Sequence, residues 1–259
     1  MVRSKTLGSL VTLQHEGPVA VVSLARPEKR NAMTPGMLDE FLASLRSVRD
    51  STARAVVVRG EGSVFCSGFD LPLCHAEPGT LARLLTGLSL CVGELRSLDV
   101  PVVIACHGAA IAGGCALLGG ADVVVADRGA KIGYPVVPLG ISPAVSASSL
   151  RSAVVDGAAR AWQLDPVLHT GEEAYAMGLV HELVESAADV MGRARAVALA
   201  LAGKPAWAIS ATKAWLNRMT GPTVDEARRS LDASLALSDN AEQREALGTL
   251  ASTVWRKSP

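Results

Sequence analysis

The chain has 259 residues, 49% of them apolar but only 3% aromatic, so small aliphatic side chains and glycine must fill its core. Its 25 Lys and Arg balance 25 Asp and Glu, which excludes a global field for nucleic acid or an anionic membrane. Five cysteines (66, 74, 91, 106, 115) lack CxxC spacing, and the longest charge-free apolar run, 109–121, holds four glycines, so reduced thiols in a cytoplasmic protein with no membrane span and no metal site are expected.

Apolar alternation predicts strands over 11–13 and 19–24, separated by a turn at 15–18. A polar loop over 26–32 precedes Thr34-Pro35, an N-cap followed by proline at the first helical position. Met37, Leu38, Phe41, Leu42, Leu45 and Val48 then give a helical stripe to about 49. A β-branched strand over 55–59 leads through Gly60-Glu61-Gly62 into Val64–Pro72. The stretch 72–80 reads as a loop carrying His75, Glu77 and Pro78, and 81–98 as a helix.

The stretch 102–122 organises the rest. It reads as a buried strand to Cys106, a glycine-punctuated turn, and a short apolar helix opening at Gly113-Gly114. Further strands are expected over 123–126 and 130–132, then an irregular segment with Pro135, Pro138 and Pro143. Helices follow from 144 and near 157–162, 172–177, 187–202, 205–219, 224–237 and 241–255. Strands interleaved with helices and then helices alone predict an α/β core with parallel pairing and a helical C-terminal region.

Tiny side chains around Gly113 allow close approach to the backbone, and the first N–H groups of a helix lack partners within it. The Gly113 N–H is therefore a candidate half of an oxyanion hole, with plain strand-to-helix packing as the alternative. Other motifs fail. Gly60-Glu61-Gly62-Ser63-Val64-Phe65 ends in Phe where a dinucleotide fingerprint needs a small residue, and no helix is expected there. Gly140-Ile141-Ser142-Pro143-Ala144 lacks the last glycine of a nucleophile elbow, which leaves Ser142 as a turn or cap residue. His181-Glu182 has Glu185 where a zinc helix has its second histidine.

Taken together, RPEKRNAM (26–33), VFCSGFDL (64–71) and AAIAGGCALLGGAD (109–122) resemble the crotonase superfamily of enoyl-CoA hydratases and isomerases. GYPVVPLGISPAVS (133–146) and EEAYAMGLVHELV (172–184) stand in the order that resemblance requires. It implies a spiral of ββα units over residues 1–200 holding an acyl-CoA pocket. Residues 201–259 would form a helical oligomerisation region building a homotrimer or a dimer of trimers. The substrate would be an acyl-CoA thioester, with no cofactor beyond the coenzyme A it carries. Carried over by motif, the backbone N–H groups of Phe69 and Gly113 would hold the thioester carbonyl. Lys29, Arg30 and Ala32 would lie beside the nucleotide, Ser67, Gly68, Asp70 and Leu71 along adenine and pantetheine, and Gly114, Pro135 and Val136 in the pocket.

The chain departs from that pattern at the two positions where hydratases carry glutamate, here Ala116 and Val136. The dehalogenase aspartate, expected near Ala144, is also missing. Tyr134 and His75, the latter with Glu77, are the candidate substitutes. Ser89, Cys115 and Ser146 are candidate wall residues, and His107, Asp70 and Asp122 are read as structural. The implied function is an enolate-stabilising enzyme with non-standard acid–base groups, for which decarboxylation suits a site lacking a base. The alternative is an inactive acyl-thioester binding or delivery protein.

Overall fold

The structure, a computed structural model, describes residues 9–238 and 240–254, with side chains as far as Thr249. Residues 1–8, and Trp255, expected to end the last helix, lie outside the described residues. Strands β1 (Val11–Glu16) and β2 (Val19–Leu24) form an antiparallel hairpin. Helix α1 (Pro35–Arg49) starts where Thr34 accepts the Met37 N–H, and β3 (Ala55–Gly60) follows. Next come α2 (Leu71–Ala76), α3 (Thr80–Ser97), β4 (Val102–Cys106), β5 (Ala109–Ile111) and α4 (Gly113–Leu118). After β6 (Val123–Asp127) and β7 (Lys131–Gly133), two 3₁₀ turns (Val137–Leu139 and Pro143–Ser146) lead to α5 (Ala147–Ala153) and α6 (Asp156–Leu164). The chain ends with β8 (His169–Thr170), α7 (Gly171–Ala176), β9 (Glu182–Val184), α8 (Ala187–Ala202), α9 (Ala206–Thr220), α10 (Val224–Leu235) and α11 (Ala241–Val254).

The main sheet has the order β1-β2-β3-β4-β6-β9 and is parallel from β2 onward; β5, β7 and β8 form a second, smaller sheet. Because side chains alternate along a strand, each central strand feeds two cores. One face, with Val22, Val58, Ile104 and Val124, packs on α1, α3 and α4. The other, with Val21, Val57, Val103 and Val125, meets α8 through Val190, Ala194, Ala198 and Ala202, one stripe at a spacing of four. Small residues on that stripe let the helix lie close to the sheet.

Two expectations are corrected. The stretch after Asp70 is the helix α2, not a loop: the Asp70 carboxylate accepts the Leu73 N–H, and Pro72 sits in the first turn, where its missing N–H has no cost. The short strands β5, β8 and β9 were not anticipated, since two or three residues carry no periodicity to read.

The helices after residue 201 return to the core. Lys213 on α9 is buried and places Nζ 2.6 Å from Asp122 Oδ2 and 3.0 Å from the Val100 carbonyl oxygen. Asp122 also accepts the Val102 N–H at 2.7 Å, so one carboxylate ties α9 to the start of β4. Helix α10 packs on the second 3₁₀ turn, and α11 on α2 and the first. Among the described residues, no helix is long and apolar enough to cross a membrane, and no group of three or more His, Cys, Asp or Glu could hold a metal ion.

Candidate active site

Strands β3 and β4 are parallel neighbours, so their exits lie at the same end of the sheet, where open α/β sheets form crevices. The chain leaving β3 runs past β5, exchanging Cys66 N–H to Ala109 O and Ile111 N–H to Cys66 O, each at 3.0 Å. It then bridges Met33: the Met33 N–H donates to Gly68 O at 2.8 Å, and the Asp70 N–H to Met33 O at 2.9 Å. In a parallel bridge the residue between the two bonded partners turns its own N–H the other way. That residue is Phe69, and its N–H has no partner among the described residues.

The chain leaving β4 reaches α4 through Ala112, which adopts φ 52° and ψ −112°, a conformation natural to glycine. A bond from the Ala112 N–H to Gly133 O at 2.8 Å holds it there, and strain of this kind concentrates at functional sites. The turn brings Gly113 against Phe69: a Cβ on Gly113 would stand 2.9 Å from the Phe69 ring and 2.6 Å from the Met33 methyl. Gly113 begins α4, so its N–H has no partner within the helix. Gly68, at φ 97°, makes the same approach from the other side, where a Cβ would meet the Ile111 carbonyl oxygen at 3.0 Å.

Phe69 and Gly113 line one cavity of about 280 Å³. Ser67, Leu71, Tyr134, Pro135 and Val136 line it with them, as does Ala116, one helical turn after Gly113. Among the described residues the lining includes no Asp, Glu, His, Lys or Arg. Its apolar wall comes from Leu85 and Leu88 on α3 and from Leu139, Ile141 and Val145, none of which the sequence reading had singled out. The α3 residues were legible as a helical stripe, but nothing local said which part of the stripe faces a cavity.

Tyr134 is buried beside Ser146 and Cys115. Burial, reinforced by Cys115, pushes the phenol well above its ordinary range, and burial lifts the Cys115 thiol to about 12. Burial thus disfavours the phenolate form of Tyr134.

Ser146, a candidate wall residue, also lines the cavity, and the remaining candidates lie outside it. His75 is exposed on α2, and its ring packs beside Gly248 of α11. The loop expected to carry it is the helix α2. Gly114 faces inward onto Cys66, and Lys29 and Arg30 are exposed beyond β2. Asp70 caps α2 and pairs with Arg26 at 2.7 Å, and Arg26 also donates to Ala32 O at 2.8 Å. His107 Nε2 lies 3.0 Å from Gly62 O, the structural role expected of it.

Asn31 is the residue the sequence reading missed. Fully buried at φ 55°, it places Nδ2 2.8, 3.0 and 3.1 Å from the carbonyl oxygens of Glu61, Val64 and Phe65, and its Oδ1 accepts the Arg26 N–H. Asparagine tolerates this left-handed conformation better than other non-glycine residues. Asn31→Ala is expected to lower the unfolding free energy by about 3 kcal/mol, by leaving buried carbonyls unpaired, as read by urea denaturation.

The enoyl-CoA hydratase/isomerase family profile matches residues 14–251. The chain belongs to that family. A putative enoyl-CoA hydratase of Thermus thermophilus is 33% identical over 235 residues, 89% of this chain and 90% of the relative. The 1,2-epoxyphenylacetyl-CoA isomerase of Escherichia coli is 31% identical over 221 residues, 81% and 82% of the two chains. A solved enoyl-CoA hydratase/isomerase of Xanthobacter autotrophicus Py2 superposes with TM-score 0.86 at 24% identity, covering 96% of this chain and 97% of that one, which establishes the crotonase fold. Both hydratases and isomerases thus stand among the relatives of this family member.

Proposed function

We propose that the cavity binds the acyl part of an acyl-CoA thioester and that the Phe69 and Gly113 N–H groups stabilise its enolate oxygen. What supports this reading is that Phe69 and Gly113, which follow adjacent strand exits and whose main-chain N–H groups have no partner among the described residues, line one apolar cavity. A thioester carbonyl that gains negative charge in such a water-poor site is stabilised by each donor, typically by about 10²–10³ in rate. With no Asp, Glu, His, Lys or Arg in the lining among the described residues, the chemistry that fits is one that reaches the enolate without a carboxylate. Loss of carbon dioxide from a 2-carboxyacyl thioester does so: the breaking C–C bond leaves its electron pair on the enolate.

The wall positions Ala116 and Val136 also favour a second reading, a thioester carrier without chemistry. Turnover separates the two. Malonyl-, enoyl- and 3-hydroxyacyl-CoA are assayed with the purified protein, then with Gly113 replaced by glycolic acid, which turns one amide N–H into an ester oxygen and adds no bulk. An enolate enzyme should lose about 10²–10³-fold in turnover rate while remaining folded. Binding without turnover of any of the three selects the carrier, and turnover unchanged by the ester removes Gly113 from the chemistry.

Self-association belongs to the same reading. Helix α9 exposes Trp207 (78%) and Trp215 (60%) beside Leu216 and Met219, a larger apolar display than an isolated surface helix usually carries. A homotrimer or dimer of trimers would cover it.

A further inference from the structure

One wall of the cavity is a single strand of chain thick. Ile141, Ser142 and Pro143 line the cavity on one side and an outer groove of about 500 Å³ on the other. The groove is bordered by Val137, Leu164 and Leu237, all exposed.

This partition runs from the end of the first 3₁₀ turn to the start of the second and belongs to no sheet. Its carbonyls are held by side chains from three helices. Gly140 O accepts from Gln243 Nε2 of α11 at 3.0 Å, Ser142 O from Ser234 Oγ of α10 at 2.9 Å, and Pro143 O from Gln163 Nε2 of α6 at 3.2 Å. Ser234 Oγ also accepts the Val145 N–H at 2.8 Å. Ser234 and Gln243 are both buried, and polar groups are tolerated there only when bonded. Apolar packing would suffice to close a wall; directional bonds to three of its carbonyls fix where it stands.

We infer that residues 140–143 form a length stop: the acyl chain ends against Ile141, and Ser234 and Gln243 are positioning residues that set its depth. This rests on the thioester reading. Up to the stop, each buried methylene adds about four-fold in affinity. The next one must displace a carbonyl held by α6, α10 or α11.

Calorimetric titration with saturated acyl-CoAs from butyryl to palmitoyl tests this in the parent and in Ile141→Ala, Ser234→Ala and Gln243→Ala. In the parent, affinity should climb by about four-fold per methylene and then break. Ile141→Ala joins cavity to groove, so the break should move to longer chains, with the first chain past the parent's break binding at least about ten-fold tighter. Ser234→Ala and Gln243→Ala should blur the break, which loss of stability alone would not do. Ile141→Phe should move it to shorter chains, a result obtainable even if Ile141→Ala fails to fold. A parent series with no break, or a break at the same length in every variant, overturns the length stop and leaves the thioester reading standing. A parent that binds no acyl-CoA of any length overturns both.

Discussion

Glutamate at both Ala116 and Val136 is expected to raise the hydration rate of an enoyl-CoA by about 10⁴-fold over the parent chain, at the lower end of about 10²–10⁴ for each acid–base group. Both positions line the cavity, Ala116 three residues after Gly113 on α4 and Val136 just beyond β7. Carboxylates there would approach a thioester held at Phe69 and Gly113 from two separate elements. Burial would raise the carboxyl pKa values, which suits the member acting as acid. The added bulk should cost about 1–3 kcal/mol of stability, tempered by the space the cavity offers. The assay is loss of enoyl-thioester absorbance with the folded double variant. If that variant hydrates no faster than the parent, Ala116 and Val136 do not face the reacting carbons.

The close backbone approaches at Gly68 and Gly113 were legible in the sequence because they leave a signature of small residues. Gly113 must be glycine to fit beneath Met33 and Phe69, and Gly68 must be glycine to hold its positive φ. Asn31 left no such trace. Its amide reaches carbonyls 30 to 34 residues away, and no local spacing distinguishes it from a loop asparagine. The stretch carrying His75 reads as a loop because no apolar period marks it, whereas Asp70 and Pro72 together start a helix. The partition at 140–143 was invisible for a different reason: its support comes from Gln163, Ser234 and Gln243, which only the folded chain brings beside it.

Raising the pH from 9 to 10 is expected to lower the unfolding free energy by about 3 kcal/mol, roughly 1 kcal/mol for each of the three buried thiols lifted to about 12, with Cys106 adding to the loss and Lys213 offsetting part of it. Burial lifts Cys66, Cys91 and Cys115 from the ordinary 9.0 to about 12. Cys106 is also pushed well up, by burial first and then by Cys115, Asp127 and Cys66. In the unfolded chain these thiols lose their protons above pH 9 while the folded chain keeps them, so the unfolded state binds fewer protons and stability falls with rising pH. The loss begins near 9 and runs toward 12. Lys213 opposes it by one proton, since burial lowers its pKa and the unfolded chain holds that proton longer; Tyr134 adds to it above 10. Urea titrations at successive pH values read the slope. Cys91 lies on α3, outside the cavity lining, and Cys91→Ala should flatten the slope by about 1.4 kcal/mol per pH unit once its thiol is fully titrated in the unfolded chain. Unfolding free energy unchanged between pH 8 and 10 would mean that water reaches these thiols in the folded chain. Because Cys66, Cys106 and Cys115 occupy the core from which Phe69 and Gly113 project, the dry environment assigned to the two N–H groups would then be lost as well.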